Sequence, residues 1–168
     1  VLAFGGARNS ITHERAILRI SEEGFSIVGQ LAHARSDPTV TRTAEGRLLI
    51  VGGNAETSAE LYDPERHTSE LVAAPLLARR QHTAIGLPDG SVLIAGGTKS
   101  RQPSFAEVYN VATNSWSLRA QVESPRVTSA SLLGDGSVVI NANSTLRRLD
   151  PSTGQWTALV RPELRPMG

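Results

Sequence analysis

Short apolar runs closed by a pair of glycines recur along this chain. Val92-Leu93-Ile94-Ala95-Gly96-Gly97 is the clearest. It returns as Leu48-Leu49-Ile50-Val51-Gly52-Gly53 and as Val1-Leu2-Ala3-Phe4-Gly5-Gly6, with a worn copy at Val138-Val139-Ile140-Asn141-Ala142-Asn143. The copies close at residues 6, 53, 97 and 143, at spacings of 47, 44 and 46 residues. A fixed period in this range marks a repeat architecture.

The residues between the runs predict the rest of each unit. In the third unit, His82–Leu87 forms a first strand and Pro88-Asp89-Gly90-Ser91 a hairpin turn. Val92–Gly97 is then the second strand, Ala106-Glu107-Val108-Tyr109 the third, and Asn114-Ser115-Trp116 opens the fourth. The second unit repeats this order, with strands at Thr39–Arg42, Leu48–Gly53, Ala59–Tyr62 and near Glu70–Ala73. The fourth unit has Thr128–Leu133, Val138–Asn143, Leu146–Leu149 and Gln155-Trp156-Thr157. The opening unit shows three strands, Val1–Gly6, Arg15–Ile20 and Phe25–Val28, and no first strand. No stretch has the periodicity of a helix. The second-strand runs are apolar throughout rather than alternating, as expected of strands covered on both faces. Four short antiparallel strands covered on both sides by neighbouring units make a propeller blade. Trp116, Trp156 and Phe25 are expected to wedge between blades. Ser69 holds the matching place in the second unit, with weaker packing there or Leu71 in its stead.

These residues resemble a known family. A strand ending in Gly-Gly, a short loop, Ala-Glu-x-Tyr, and Trp about seven residues on is similar to the kelch repeat. The pattern stands here as Gly52-Gly53 with Tyr62, Gly96-Gly97 with Tyr109 and Trp116, and an eroded Asn141, Leu149 and Trp156. The resemblance implies an all-β, kelch-type β-propeller of about four four-stranded antiparallel blades, a partial or half propeller in one domain. The blades are expected at 1–30 (partial), 31–74, 75–120 and 121–160, with 161–168 leading to a next blade or closing the ring. Remaining blades of a larger propeller, or a second copy, would cover the apolar blade faces.

Composition changes this picture little. The 168 residues carry 17 basic and 16 acidic side chains, so no bulk field draws the chain to nucleic acid or a membrane. Aromatic residues make up 4%, too few for a base-stacking surface. No apolar run reaches the length of a membrane span. There are no cysteines, which removes disulfides, thiolate nucleophiles and cysteine-held metals and leaves the compartment open. Asn143-Ser144-Thr145 matches a glycosylation acceptor, relevant only in a secretory route.

Charge is distributed unevenly in a propeller frame. The loops joining second to third strands and those joining blades share one face, here called upper. It carries Arg35, Arg79, Arg80, Lys99, Arg101 and Arg126 against Glu14, Asp37 and Glu56, with His82 beginning an innermost strand where a structural hydrogen bond is expected, while Asp63, Asp89, Asp135 and Asp150 fall on the lower face against Arg47 and Arg66. Guanidinium groups suit carboxylate or phosphate partners. Arg35, Arg79, Arg80, His82, Lys99, Arg101 and Arg126 are therefore the candidate binding set for a protein or acidic ligand. The plainer alternative is that arginine suits solvated loop ends and Asp-Gly suits turns. The four histidines lie far apart without a carboxylate group beside them, so no metal or other cofactor is expected. Tyr62 and Tyr109 share one repeat position, which marks them as structural. There is no Gly-x-Ser-x-Gly and no phosphate-binding glycine loop.

Kelch propellers mostly act as interaction scaffolds, so the resemblance implies a non-catalytic binding module. It also admits a sugar-binding or sugar-processing propeller enzyme, oxidase-like or isomerase-like. The copper oxidases of that group need a cysteine bonded to a tyrosine, which this chain lacks. An isomerase would need an acid–base pair in the central channel, and Asp37 and His82 are the residues to supply it.

Overall fold

A computed structural model describes residues 1–6, 14–53, 57–97, 104–122, 127–142 and 145–159. Fifteen strands form four antiparallel sheets in sequence order, a β-propeller-like arrangement. The first sheet has three strands, β1 (Leu2–Phe4), β2 (Glu14–Ser21) and β3 (Gly24–Arg35). The second has β4 (Thr39–Arg42), β5 (Leu48–Val51), β6 (Ala59–Asp63) and β7 (Thr68–Val72). The third has β8 (Thr83–Gly86), β9 (Val92–Ala95), β10 (Ser104–Asn110) and β11 (Ser115–Val122). The fourth has β12 (Val127–Leu132), β13 (Val138–Ala142), β14 (Thr145–Asp150) and β15 (Gln155–Ala158). The three-stranded opening and the meander order in the other sheets are as the repeat predicts. Among the described residues there is no helix.

The hairpins that join first to second strands share one geometry. Thr43, Leu87 and Leu133 each donate their amide to the carbonyl four residues on, at Arg47, Ser91 and Ser137. Gly46, Gly90 and Gly136 sit in the left-handed region that closes the turn, with φ of 84°, 83° and 82°. The glycine pairs serve a different need, the close approach of the next sheet's lead-in. A Cβ at Gly52 would lie 2.5 Å from the Arg79 carbonyl oxygen. One at Gly97 would lie 2.5 Å from that of Arg80, and both glycines have positive φ.

Sheets stack through both faces. The first strands β4 and β8 are neighbours, as are β8 and β12. Alternate residues of each sheet face the preceding sheet and the following one. Leu2, Phe4, Ile17 and Val28 of the first sheet pack on Leu48, Ile50 and Tyr62 of the second. Leu49, Val51, Ala59 and Leu61 of the second pack on Val92, Ile94, Tyr109 and Trp116 of the third. Leu93, Ala95, Ala106 and Val108 of the third pack on Val138, Ile140, Leu149 and Trp156 of the fourth.

The expected aromatic wedges behave unequally. Trp116 lies between sheets and donates its indole N–H to the Ala73 carbonyl at 2.7 Å. Trp156 is packed, but its indole nitrogen is buried without a partner. Trp116→Phe should therefore cost about 1–2 kcal/mol more than Trp156→Phe, since only the first breaks a made hydrogen bond. Urea titration of the two variants measures that difference, and equal losses would show that the Trp116 bond contributes nothing.

Phe25 is not a wedge: it is 77% exposed. Its position faces a preceding sheet, and the first sheet has none among the described residues. Leu71 does not take over from Ser69 either, being 56% exposed. The Ser69 hydroxyl instead donates to the Glu60 carboxylate at 2.9 Å. β3 also runs beyond Val28 to Arg35, with shifts in its register against β2. The extra length crosses toward the second sheet, where Glu60 binds it.

Candidate functional site

Two of the seven upper candidates are turned inward. Arg35 and Arg79 are buried, each in an ion pair with a buried glutamate of the Ala-Glu-x-Tyr segment. Arg35 donates Nε and Nη2 to Glu60 Oε1, at 3.0 and 2.8 Å, and Nη1 to the Gly52 carbonyl at 2.7 Å. Arg79 repeats the pattern with Glu107 Oε1 at 3.0 Å from Nε and with the Gly96 carbonyl. The second carboxylate oxygen accepts backbone amides, Ala32 on Glu60 and Leu76 on Glu107, both at 2.6 Å. Each clamp thus ties the segment entering a sheet to that sheet's third strand and glycine pair. A guanidinium so engaged is not available to an outside partner, which corrects the expectation that Arg35 and Arg79 offer binding groups.

Burial favours the neutral form of Glu60. The hydrogen bonds from the Ala32 amide, Arg35 and Ser69 outweigh it and hold the carboxyl below its ordinary range. Burial lowers the pKa of Arg79, partly offset by Glu107.

His82 is also buried and joins neighbouring first strands, its Nε2 lying 2.7 Å from the Thr39 hydroxyl. Burial, reinforced by the Arg79 charge, lowers its pKa to about 3. It is therefore a neutral structural group at neutral pH. Asp37 is exposed, in a left-handed turn with φ of 54°. The hydrogen bond of His82 goes to Thr39 and not to Asp37. Arg80 is exposed, and its amide is pinned to the Gly97 carbonyl at 2.9 Å. Lys99, Arg101 and Arg126 lie outside the described residues.

The repeated tyrosines are structural, as their equivalence implies. Tyr109 donates to Asn114 Oδ1 at 2.9 Å, and the Tyr62 hydroxyl meets His67 Nδ1 at 2.9 Å. Burial raises the pKa of both phenols. His67 Nε2 lies 3.0 Å from Arg19 Nη2. Arginine only donates, so this ring nitrogen accepts and Nδ1 carries the proton toward Tyr62.

The lower end holds a cleft of about 730 Å³ that the sequence reading did not single out. Its lining includes Leu87, Asp89, Val108, Arg119, Asp135, Arg148, Asp150, Gln155 and Thr157. The three aspartates are fastened locally. Asp89 and Asp135 each accept the amide and hydroxyl of the serine two residues on, Ser91 and Ser137, and Asp150 does the same with Ser152. These bonds lower all three carboxyl pKa values. Arg148 pairs with Asp135 and donates to the Ser137 hydroxyl. Fully ionised, locally bonded carboxylates of this kind accept hydrogen bonds and do not act as general acids near neutral pH. A second, smaller cleft of about 350 Å³ is lined by Glu45, Arg47, Asp63, Glu65, Arg66 and Glu70 among others. The signal for the larger cleft was the Asp-Gly-Ser motif, which reads equally well as turn chemistry.

No protein-family model and no curated protein matches the sequence. Among solved structures, the chain is similar to a fungal alcohol oxidase of the AA5 family, determined in complex with copper. The TM-score is 0.71 at 17% identity, over 94% of this chain. The chain spans 38% of that oxidase. At this identity the likeness is one of fold. Among the described residues, no group of three or more metal-ligating side chains is placed to hold an ion, and no helix is long and apolar enough to cross a membrane.

Proposed function

We propose that this chain is a non-catalytic binding module that takes a protein or acidic ligand on its upper loop face. The observation that carries this reading is the sorting of the upper arginines. Arg35 and Arg79 are locked into the sheets, while Arg80 remains exposed on a backbone fixed by Gly97. Lys99, Arg101 and Arg126 belong to the same set by their place in the repeat. A rigid stack of sheets presenting cationic loops suits recognition of carboxylates. The kelch-type repeat is part of the same proposal.

The likeness to an alcohol oxidase favours a second reading, part of a sugar- or alcohol-processing propeller enzyme. Among the described residues, the side chains do not fit copper. There is no cysteine, His82 is held by Thr39, and His67 is held between Tyr62 and Arg19. No proton-transfer pair joins Asp37 to His82.

A labelled deca-glutamate peptide tests the first reading by fluorescence anisotropy. The wild type should bind it, and Arg80→Glu should weaken binding several-fold and flatten its salt dependence. Absence of binding to the wild type overturns the reading. Release of peroxide from primary alcohols on addition of copper(II) would establish the second.

A further inference from the structure

The larger cleft at the lower end draws its lining from both the third and the fourth sheet. Leu87, Asp89, Val108 and Arg119 come from the third, and Asp150 and Thr153 are among those from the fourth. Its volume of about 730 Å³ is that of a small-molecule site, for which about 300–1,000 Å³ is usual.

Arg119 reaches this cleft through a local irregularity of the sheet. Glu107 of β10 stands opposite Leu118 of β11, and the next pair is Ala106 opposite Ala120. Arg119 is thus the extra residue of a β-bulge. As a result Arg119 and Ala120, though consecutive, both lie toward the fourth sheet. A bulge of this kind re-aims a side chain. The matching hairpins of the second and fourth sheets pair without a break. Arg119 is exposed, and among the described residues no carboxylate forms an ion pair with it. In the smaller cleft, by contrast, Arg47 is paired with Glu70 at 2.9 Å.

The fourth sheet closes on the bulge through Gly154. That turn position is held by His67 in the second sheet and Asn114 in the third, and all three are left-handed, with φ of 73°, 58° and 48° for Gly154, His67 and Asn114. The backbone alone therefore does not demand glycine here. Space does, because a Cβ at Gly154 would run into the Arg119 carbonyl oxygen. The same turn carries Asp150. Asp150 and Asp89 each spend Oδ1 on their own turns, holding Ser152 and Ser91, and Oδ2 of each accepts no hydrogen bond among the described residues. Arg148 and Asp135 offset each other's charge. One guanidinium and two carboxylate oxygens are left, beside the apolar Leu87, Pro88 and Val108.

An anion in this cleft would meet Asp89 and Asp150, and a cation would meet Arg119. A hydroxyl both donates and accepts, so adjacent hydroxyls on an uncharged molecule satisfy carboxylate and guanidinium together. The C–H face of a sugar ring suits the apolar side chains. We propose that the cleft between the third and fourth sheets binds a neutral, hydroxyl-rich ligand of the sugar class. This site shares no residue with the upper loop face and does not depend on what that face binds.

Titration calorimetry with glucose, galactose, maltose and cellobiose tests the proposal. At least one of them should bind in the millimolar range. Arg119→Ala should weaken that binding about tenfold, the worth of one hydrogen bond to a charged group. Asp89→Asn keeps Oδ1 for Ser91 and turns the open acceptor into a donor, so it should weaken the same sugar while the thermal melt stays unchanged. Failure of all four sugars to bind the wild type overturns the proposal. A sugar that binds both variants as it binds the wild type also overturns it, because the sugar then sits elsewhere. Tighter binding of citrate or spermidine than of any sugar would make this a site for charged ligands and overturn it as well.

Discussion

Glu107→Ala lowers the folding stability by about 3–5 kcal/mol, the cost of leaving one member of a buried ion pair alone. The variant strands Arg79, whose Nε and Nη2 both donate to Glu107 Oε1. It also strands the Leu76 amide, which donates to Oε2. The Gly96 and Phe105 carbonyls still accept from Arg79, so part of the guanidinium remains satisfied. Replacing both partners, as Arg79→Met with Glu107→Leu, should recover much of the loss, because no charge is then left in the interior. Urea denaturation of the two single variants and the double variant gives the coupling directly. A loss below about 1 kcal/mol for Glu107→Ala would mean that water reaches the guanidinium once the carboxylate is gone.

Acidification lowers stability well before the carboxylates protonate, and His82 is the cause. The ordinary histidine pKa is 6.5, and burial followed by the Arg79 charge brings that of His82 to about 3. Below pH 6.5 the unfolded chain takes up a proton at this position while the folded chain does not. The unfolded state then binds more protons, so stability rises with pH and is lost as pH falls. The slope approaches about 1.4 kcal/mol per pH unit, and the total reaches on the order of 4 kcal/mol as pH nears 3. Glu60 acts in a later window. Its folded pKa lies below the ordinary glutamate value of 4.5, so its contribution is lost only as pH falls further through that lowered value. Stability measured from pH 7 to pH 5 therefore isolates the histidine contribution. His82→Gln should be nearly flat over that interval where the wild type slopes. Equal slopes in the two proteins would show that His82 is hydrated and titrates normally in the folded state.

Much of the fold was legible because the repeat imposes the same backbone demand several times. Gly52 and Gly97 must be glycine where the next lead-in approaches to 2.5 Å, and the run before each must be apolar where sheets cover both faces. Those demands leave a pattern that survives substitution elsewhere. The clamps were harder to see. Arg35 and Arg79 occupy connecting segments, where arginine normally reaches into water, and their partners sit far along the chain. A signal existed in the recurrence of glutamate within otherwise apolar third strands, at Glu60 and Glu107. Read as a buried carboxylate, that recurrence calls for a cation. Phe25 misled for the opposite reason. Its place in the repeat is a wedge position, but a wedge needs a sheet on its other side. The sequence pattern describes what a face is suited to cover and does not say what covers it. The loops that carry Lys99, Arg101 and Arg126 have no such repeated constraint, and their chemistry was legible only as composition.

The joints between sheets are not alike, and they should not respond alike to their surroundings. The joint between the first and second sheets has a small apolar cluster, with Phe4 edge-on to Tyr62 at 5.4 Å, and relies on the Arg35–Glu60 clamp. The joint between the third and fourth has the most extensive apolar cluster among the described residues, and Arg147 stands opposite Ile140 where the other sheets place their glutamate. Apolar burial weakens on cooling, whereas a carboxylate clamp weakens with acid. Cold thus bears most on the joint between the third and fourth sheets, while acid bears first on His82 between the second and third and only then on the Glu60 clamp, so a single chain of repeated units carries separate thresholds for coming apart.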